Sequence, residues 1–166
     1  MSDIQIKSCL PEHYQSVVDI YNEHIKIGVS NMVETTIDQS EIKNWISKFH
    51  DREGLYVCLN ETEDVIGWGI IKRYSDREGY RFACETAIYL KSSETGKGYG
   101  SKMKRFLIEE CKRFNYHHLV AKIFATNTGS IVYNQKIGYE IVGIQKEVGF
   151  RNGEWLDMVI MQYIIK

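Results

Sequence analysis

Thr95-Gly96-Lys97-Gly98-Tyr99-Gly100 decides the fold. Three glycines alternate with larger residues between an apolar run, Ala87 to Leu90, and an amphipathic run that begins at Tyr99. Glycine has no Cβ, so such a backbone bends sharply and lets a ligand approach closely. A helix that starts here offers N–H groups and the positive end of its dipole, and both favour a phosphate. A strand, a glycine loop and a helix N-terminus in that order make a pyrophosphate cradle.

Three cofactor readings compete for the loop. An ATP or GTP loop requires Gly-x4-Gly-Lys-Ser/Thr, and no Lys-Ser pair follows Gly98 or Gly100. A dinucleotide fingerprint requires GxGxxG in the first strand-to-helix turn of the fold. Here the pattern is GxGxG, past mid-chain, after an antiparallel meander. On the motif alone, a glycine-rich turn that binds nothing also stays open.

The chain has 166 residues, which fits one domain, 1–166, with one sizeable core. Apolar residues make up 43% and charged residues 26%, the balance of a soluble globular protein. The net charge of −1 gives no basic footprint for nucleic acid. No apolar run is long enough to span a membrane, and no secretory leader is recognisable, so the cytoplasm is the expected location. Cys9, Cys58, Cys84 and Cys111 are widely spaced and contain no CxxC pair, so buried free thiols are expected. His117 and His118 point to opposite faces of a strand, a poor chelate, and no metal site is expected.

Hydrophobic periodicity predicts a strand over Asp3–Ser8 and a helix from Pro11 to about Ile27. A second helix, capped by Asp38 or Ser40, carries Ile42, Trp45, Ile46 and Phe49. Leu55–Leu59 and Val65–Arg73 form a hairpin, and Tyr80–Leu90 is a long strand. The glycine-loop helix places Met103, Phe106, Leu107, Cys111 and Phe114 on one face. Leu119–Ala125 is a strand, Ser130–Ile137 a short helix stopped by Gly138. Tyr139–Val148 and Trp155–Ile164 form a hairpin through Arg151-Asn152-Gly153. The order βααβββαβαββ predicts an α/β fold with a mixed sheet, antiparallel first and parallel near the glycine loop.

This order and loop resemble the GNAT superfamily of acetyl-CoA-dependent N-acetyltransferases. Their signature, Arg/Gln-x-x-Gly-x-Gly/Ala, corresponds to Thr95-x-x-Gly98-x-Gly100, which departs at its first position. Ile20-Tyr21-Asn22-Glu23, Glu34 and Trp45 are similar to the N-terminal half of the phosphinothricin acetyltransferase-like branch. So are Glu85-Thr86-Ala87-Ile88-Tyr89, the Asn127, Ser130-Ile131 and Gly138-Tyr139 segment with Val142-Gly143, and Val148-Gly149-Phe150 with Trp155-x-Asp157. The resemblance spans nearly the whole chain. It implies the GNAT fold: a mixed, mostly antiparallel sheet, split at a central parallel pair and flanked by helices. The split is expected between Glu85–Leu90 and Leu119–Ala125.

The resemblance also implies acetyl transfer from acetyl-CoA to a small-molecule amine, in a ternary complex without a covalent enzyme intermediate. Thr95, Gly96, Lys97, Gly98, Tyr99, Gly100 and Ser101 would wrap the pyrophosphate. Backbone groups of Ile88 and Leu90 would pair with the pantetheine arm, with Asn127, Ser130 and Asn134 beside it. Glu85, a carboxylate among apolar neighbours in a strand, is the candidate general base, with partial burial tuning it. The family's proton-donating tyrosine position is Asn134 here, so Tyr133 is the candidate general acid, with water as the alternative. Tyr21, Asn22, Glu34, Tyr80 and Trp155 would shape the acceptor site. The branch's carboxylate-binding arginine is replaced by Ser75, with Arg73 and Arg77 flanking it. Trp45 reads better as core. The branch often pairs subunits, so a homodimer is a further expectation. Two rivals stay open: a protein or peptide Nα-acetyltransferase, and an acyl-CoA-binding sensor without turnover.

Overall fold

Neighbouring strands of this protein pair antiparallel with one exception, and the exception makes room for a site. The computed structural model describes residues 3–166. In chain order the elements are β1 (Gln5–Ser8), α1 (Tyr14–Ile27), α2 (Gln39–Ser47), β2 (Gly54–Leu59), β3 (Val65–Arg73) and β4 (Ala83–Leu90). Then come α3 (Tyr99–Arg113), β5 (His118–Phe124), α4 (Thr128–Ile137), β6 (Glu140–Arg151) and β7 (Glu154–Ile164). The seven strands form one sheet in the order β1-β2-β3-β4-β5-β7-β6.

Period-two alternation sorts the core onto two faces. Leu55, Val57, Trp68 and Ile70 face α1 and α2, meeting Val17, Ile20, Tyr21 and Ile42. Tyr56, Ile71, Cys84 and Leu119 face the other way, meeting Leu107, Ile108 and Cys111 of α3 and, at the edge, Ile131 and Ile137 of α4. Cys58, Cys84 and Cys111 are buried free thiols, whereas Cys9 is partly exposed.

Several predicted boundaries shift by a residue or a few, and three of the shifts have a visible cause. The strand expected from Tyr80 starts at Ala83, because Tyr80 and Arg81 donate to the carbonyls of Arg77 and Glu78 in a tight helical turn. The last helix starts at Thr128, two residues early, because the Asn127 side chain accepts from the Ser130 N–H and caps it. The final hairpin is longer than expected. Arg151 still pairs with Glu154, and the turn proper is Asn152-Gly153, both with positive φ. Bulges in β6 absorb the extra residues, and Asp157 pins one of them by accepting from the Glu147 N–H at 2.8 Å.

β4 and β5 pair in parallel only over Ala83–Glu85 against His118–Val120. Beyond that point β4 stays on β3 to Leu90 and β5 stays on β7 through Phe124. Each strand keeps its outer neighbour while the inner edges part, at the expected place.

A lysine lies inside this framework. Lys104 of α3 is 2% exposed and donates to Thr86 Oγ1 at 3.1 Å. Burial pushes its pKa down to about 8. Between pH 8 and about 10.5, the ordinary lysine value, the unfolded chain therefore holds a proton that the native chain has lost. The destabilisation carried by Lys104 should fade as pH rises through that window. The stability advantage of Lys104→Met over the native chain should shrink from pH 7.5 to 10 in urea titrations; a constant difference would show that Lys104 does not titrate in this range.

Candidate active site

The glycine loop takes the shape its sequence requires. Gly96 and Gly98 have φ of 75° and 84°, and Gly98 is the N-cap of α3. A Cβ added to either would meet no atom within 4 Å, so the space beside the backbone is open. That is the cradle a pyrophosphate needs. It forms one wall of a groove of about 590 Å³. Thr95, Gly100 and Ser101 line the same wall, and Asn127, Ser130, Tyr133 and Lys136 line the opposite one. Lys97 is ion-paired with Glu94 at 3.0 Å and is not part of the lining. The Tyr99 side chain is buried with Met103, Cys58 and Ile66, so only its backbone belongs to the loop surface.

The groove runs inward to the split in the sheet. A smaller cavity of about 70 Å³ lies there, and it shares Ile88, Asn127, Ser130 and Tyr133 with the groove. It also shares Thr86, Ala87 and Tyr89 with a third space, a cleft of about 150 Å³ on the α1 face. The three spaces lie in succession, sharing lining residues, from the glycine loop past the parted strands to the cleft. Ile88 borders both the groove and the split. The Leu90 carbonyl is already held by His24 Nε2 at 2.7 Å, and His24 Nδ1 lies 2.6 Å from Ser30 Oγ.

Aromatic rings wall the cleft. Tyr21 packs edge-on against Trp45 with centroids 5.3 Å apart, and Trp68 and Tyr89 are 4.7 Å apart. Trp45 therefore lines the cleft as well as packing against the core. Glu85 and Lys72, register partners across β3 and β4, are its charged residues. The Glu85 side chain is 35% exposed, and Lys122 Nζ lies 3.4 Å from its Oε2. Trp68 is buried in the cleft wall, and its Nε1–H has no hydrogen-bond acceptor among the described residues. Burial raises the pKa of Tyr89, so its hydroxyl stays protonated.

Other expected acceptor residues are spent elsewhere within this chain. The Asn22 amide exchanges two hydrogen bonds with the Ile37 backbone. Glu34 accepts from the Asn152 N–H at 3.2 Å and ties the loop after α1 to the hairpin turn. Arg73 bonds Glu53 and Asp76 on the outer side of β3. Arg77 and Tyr80 are exposed in the connection before β4, Tyr80 against Tyr74. Trp155 is 64% exposed on the hairpin and packs on Phe150. None of these six lines the aromatic cleft.

On the groove side, Tyr133 stands beside Gly100, and burial raises its pKa. Asn134, 1% exposed, donates to the Ser130 carbonyl at 2.8 Å, but its Oδ1 has no partner among the described residues. Sequence reasoning missed Trp68, Lys72, Tyr89, Lys104 and Lys122. The alternation of β4 carried part of the signal, since Tyr89 lies on the same strand face as Glu85. Lys122 was hidden because the pairing of β4 with β5 is long-range.

A separate depression of about 500 Å³ lies beyond the paired end of β4 and β5, lined by Tyr74, Tyr80, His117 and His118. It contains no glycine-loop residue and no carboxylate. Among the described residues no cluster of His, Cys, Asp or Glu could hold a metal ion, and no helix is long and apolar enough to cross a membrane.

Residues 12–160 match the family model for the acetyltransferase (GNAT) domain. The chain is 28% identical over 148 residues to a phosphinothricin N-acetyltransferase of Alcaligenes faecalis, covering 89% of this chain and 75% of that protein. It is 29% identical over 148 residues to an L-methionine sulfoximine/L-methionine sulfone acetyltransferase of Pseudomonas paraeruginosa, covering 88% and 86%. The crystal structure of a GNAT superfamily phosphinothricin acetyltransferase from Sinorhizobium meliloti in complex with acetyl-CoA superposes with a TM-score of 0.92 at 28% identity, covering 98% of this chain and 88% of that one. Glycine cradle, parted strands and family match agree: the chain belongs to the GNAT acetyltransferase family and is an N-acetyltransferase whose cofactor is acetyl-CoA.

Proposed function

We propose that this enzyme transfers the acetyl group to the primary amine of a small amino-acid-like molecule, by direct attack in a ternary complex. The observation that carries this reading is the succession of spaces, sharing lining residues, from the glycine loop past the parted strands to the aromatic cleft. The coenzyme brings an activated acetyl thioester. Holding that thioester and an amine in line at the split supplies much of the acceleration.

The roles follow from position. Backbone groups of the loop from Thr95 to Ser101 hold the pyrophosphate, with Lys97 and Lys136 at its margins. Ile88 gives its open backbone edge to the pantetheine arm, Leu90 contributes at the groove wall, and Asn127, Ser130 and Asn134 flank the arm. Glu85 faces the cleft and takes the ammonium proton through a water, while Lys122 orients its carboxylate. Tyr133, on the coenzyme side, gives the thiolate its proton. The cleft suits a small acceptor better than a peptide: about 150 Å³ between Tyr21, Trp45, Trp68 and Tyr89. Within this chain, Lys72 and the unpartnered Trp68 Nε1–H are the groups placed to read an acceptor carboxylate, in preference to Arg73 or Arg77. The exposed apolar side chains Ile141, Ile144, Phe150 and Trp155 of β6 and β7 are the face proposed for pairing two copies. Pairing would set Trp155, and the loop held by Glu34, at the margin of a composite site.

Thiol release from acetyl-CoA across a panel of amines tests the reading. Phosphinothricin, methionine sulfoximine, methionine sulfone and common amino acids should include a substrate. Turnover confined to peptides would transfer the assignment to a protein Nα-acetyltransferase, and tight coenzyme binding with no turnover would leave a sensor. Glu85→Gln should lower kcat by about a hundredfold or more while the acetyl-CoA Kd stays within about twofold; equal losses in both would make Glu85 structural. Gly98→Val places a β-branched side chain at positive φ beside the cradle. It should abolish acetyl-CoA binding in calorimetry; an unchanged Kd would rule out the loop as the pyrophosphate site.

A further inference from the structure

Lys104 is a buried cation without an anion. Its Nζ has Thr86 Oγ1 at 3.1 Å and the Tyr139 ring centroid at 4.7 Å, and no carboxylate forms an ion pair with it among the described residues. The titratable neighbours are Cys84 of β4, Cys111 of α3 and Tyr139 before β6, with Tyr133 of α4 and Lys122 of β5 lining the same cavity. Such a charge is expensive to bury unless something compensates it. Among the described residues, Thr86 Oγ1 is the one hydrogen-bond acceptor for the three ammonium N–H bonds. Lys104 lines the cavity in the split, and so does Asn134, whose buried Oδ1 also lacks a partner. A donor with charge to spare and an acceptor with no donor border one space of about 70 Å³. Buried polar groups are rarely left this way, so the cavity is built for a polar guest.

The face on which Lys104 sits identifies the guest atom. Glu85 and Thr86 are consecutive in β4, so their side chains point to opposite sides of the sheet. Glu85 lines the cleft on the α1 face, and Thr86 meets Lys104 on the α3 face, in the cavity that shares Ile88, Asn127, Ser130 and Tyr133 with the glycine groove. An amine that attacks from the cleft expels its leaving group toward the groove. We propose that Lys104 is the cation that holds the negative charge of the coenzyme sulfur as it departs. This rests on the transfer reading above and adds a group to it. When the carbon–sulfur bond breaks, its electron pair stays on sulfur. Lys104 keeps all three of its protons and balances the new charge, and the proton from Tyr133 then converts the thiolate to the thiol. An amine that titrates near 8 is mostly charged at pH 7, as this role requires. Thr86 aims the ammonium, and the Tyr139 ring face supports it.

The test reads the sulfur directly. Free coenzyme A is bound to the native enzyme, to Lys104→Met and to Lys104→Gln, and the thiolate is followed by ultraviolet absorbance across pH. Methionine is close to lysine in volume and suits the apolar surroundings, and glutamine keeps a hydrogen-bond donor without the charge. In the native enzyme the bound thiol should titrate at least about one pH unit lower than in either variant. Both variants should lose at least about tenfold in kcat and keep their coenzyme Kd. Equal thiol titration in all three proteins, with acetyl transfer still running, would overturn the role of Lys104 and leave the transfer reading standing. Acetylation of Lys104 itself, seen by mass spectrometry, would also overturn it, because the group would then be a nucleophile. Failure of the native enzyme to bind coenzyme A would remove both readings together.

Discussion

The structure depends on a ladder that stops. Hydrogen bonds between β4 and β5 end at Glu85 and Val120, although both strands continue. Unpaired strand edges inside a protein are costly unless something satisfies them. His24 satisfies the Leu90 carbonyl from α1. In the proposed complex the remaining edge receives a ligand that can behave as an added strand, as an amide-containing arm can. What keeps the strands apart is local: β4 stays on β3, β5 stays on β7, and Asn127 turns the chain into α4 where β5 ends. The opening needs no strained backbone, and the two intact halves of the sheet hold it from outside.

Strand alternation then gives the opening two chemically different sides. One side carries a carboxylate among aromatic rings, the other a buried ammonium beside hydroxyl and amide groups. In the proposed transfer a proton is removed on the first side and negative charge is received on the second. A single strand, β4, supplies Glu85 to one and Thr86 to the other. The chemistry is thereby oriented across the sheet, and a one-residue slip of β4 would reverse it.

Much of this was legible in the chain. The glycine loop and its helix followed from the alternation of glycines and from hydrophobic periodicity, and the place of the split from the family resemblance. Gly28 and Gly138, at positive φ, ended helices where expected. The hairpin end was harder to read, because the bulges that lengthen β6 depend on Asp157 catching the Glu147 N–H across the ladder. The site was legible only where its residues share an element. Glu85 stood out as a carboxylate in an apolar strand. Lys122 and Lys104 did not, because a lysine in a strand or helix looks solvent-facing until long-range packing places it. The partners of Arg73 and Asn22 were hidden for the same reason: their polar groups bond Glu53, Asp76 and the Ile37 backbone, contacts that no spacing reveals.

The most direct measurement is amide hydrogen exchange with and without acetyl-CoA. Binding along the proposed path should protect the glycine loop and the β4 segment 86–90 together, since the inner edge of β4 is unpaired until the arm arrives. Protection of the loop with none in β4, or protection around Tyr74, Tyr80 and His117 at the other end of the strands, would contradict a coenzyme that threads the split.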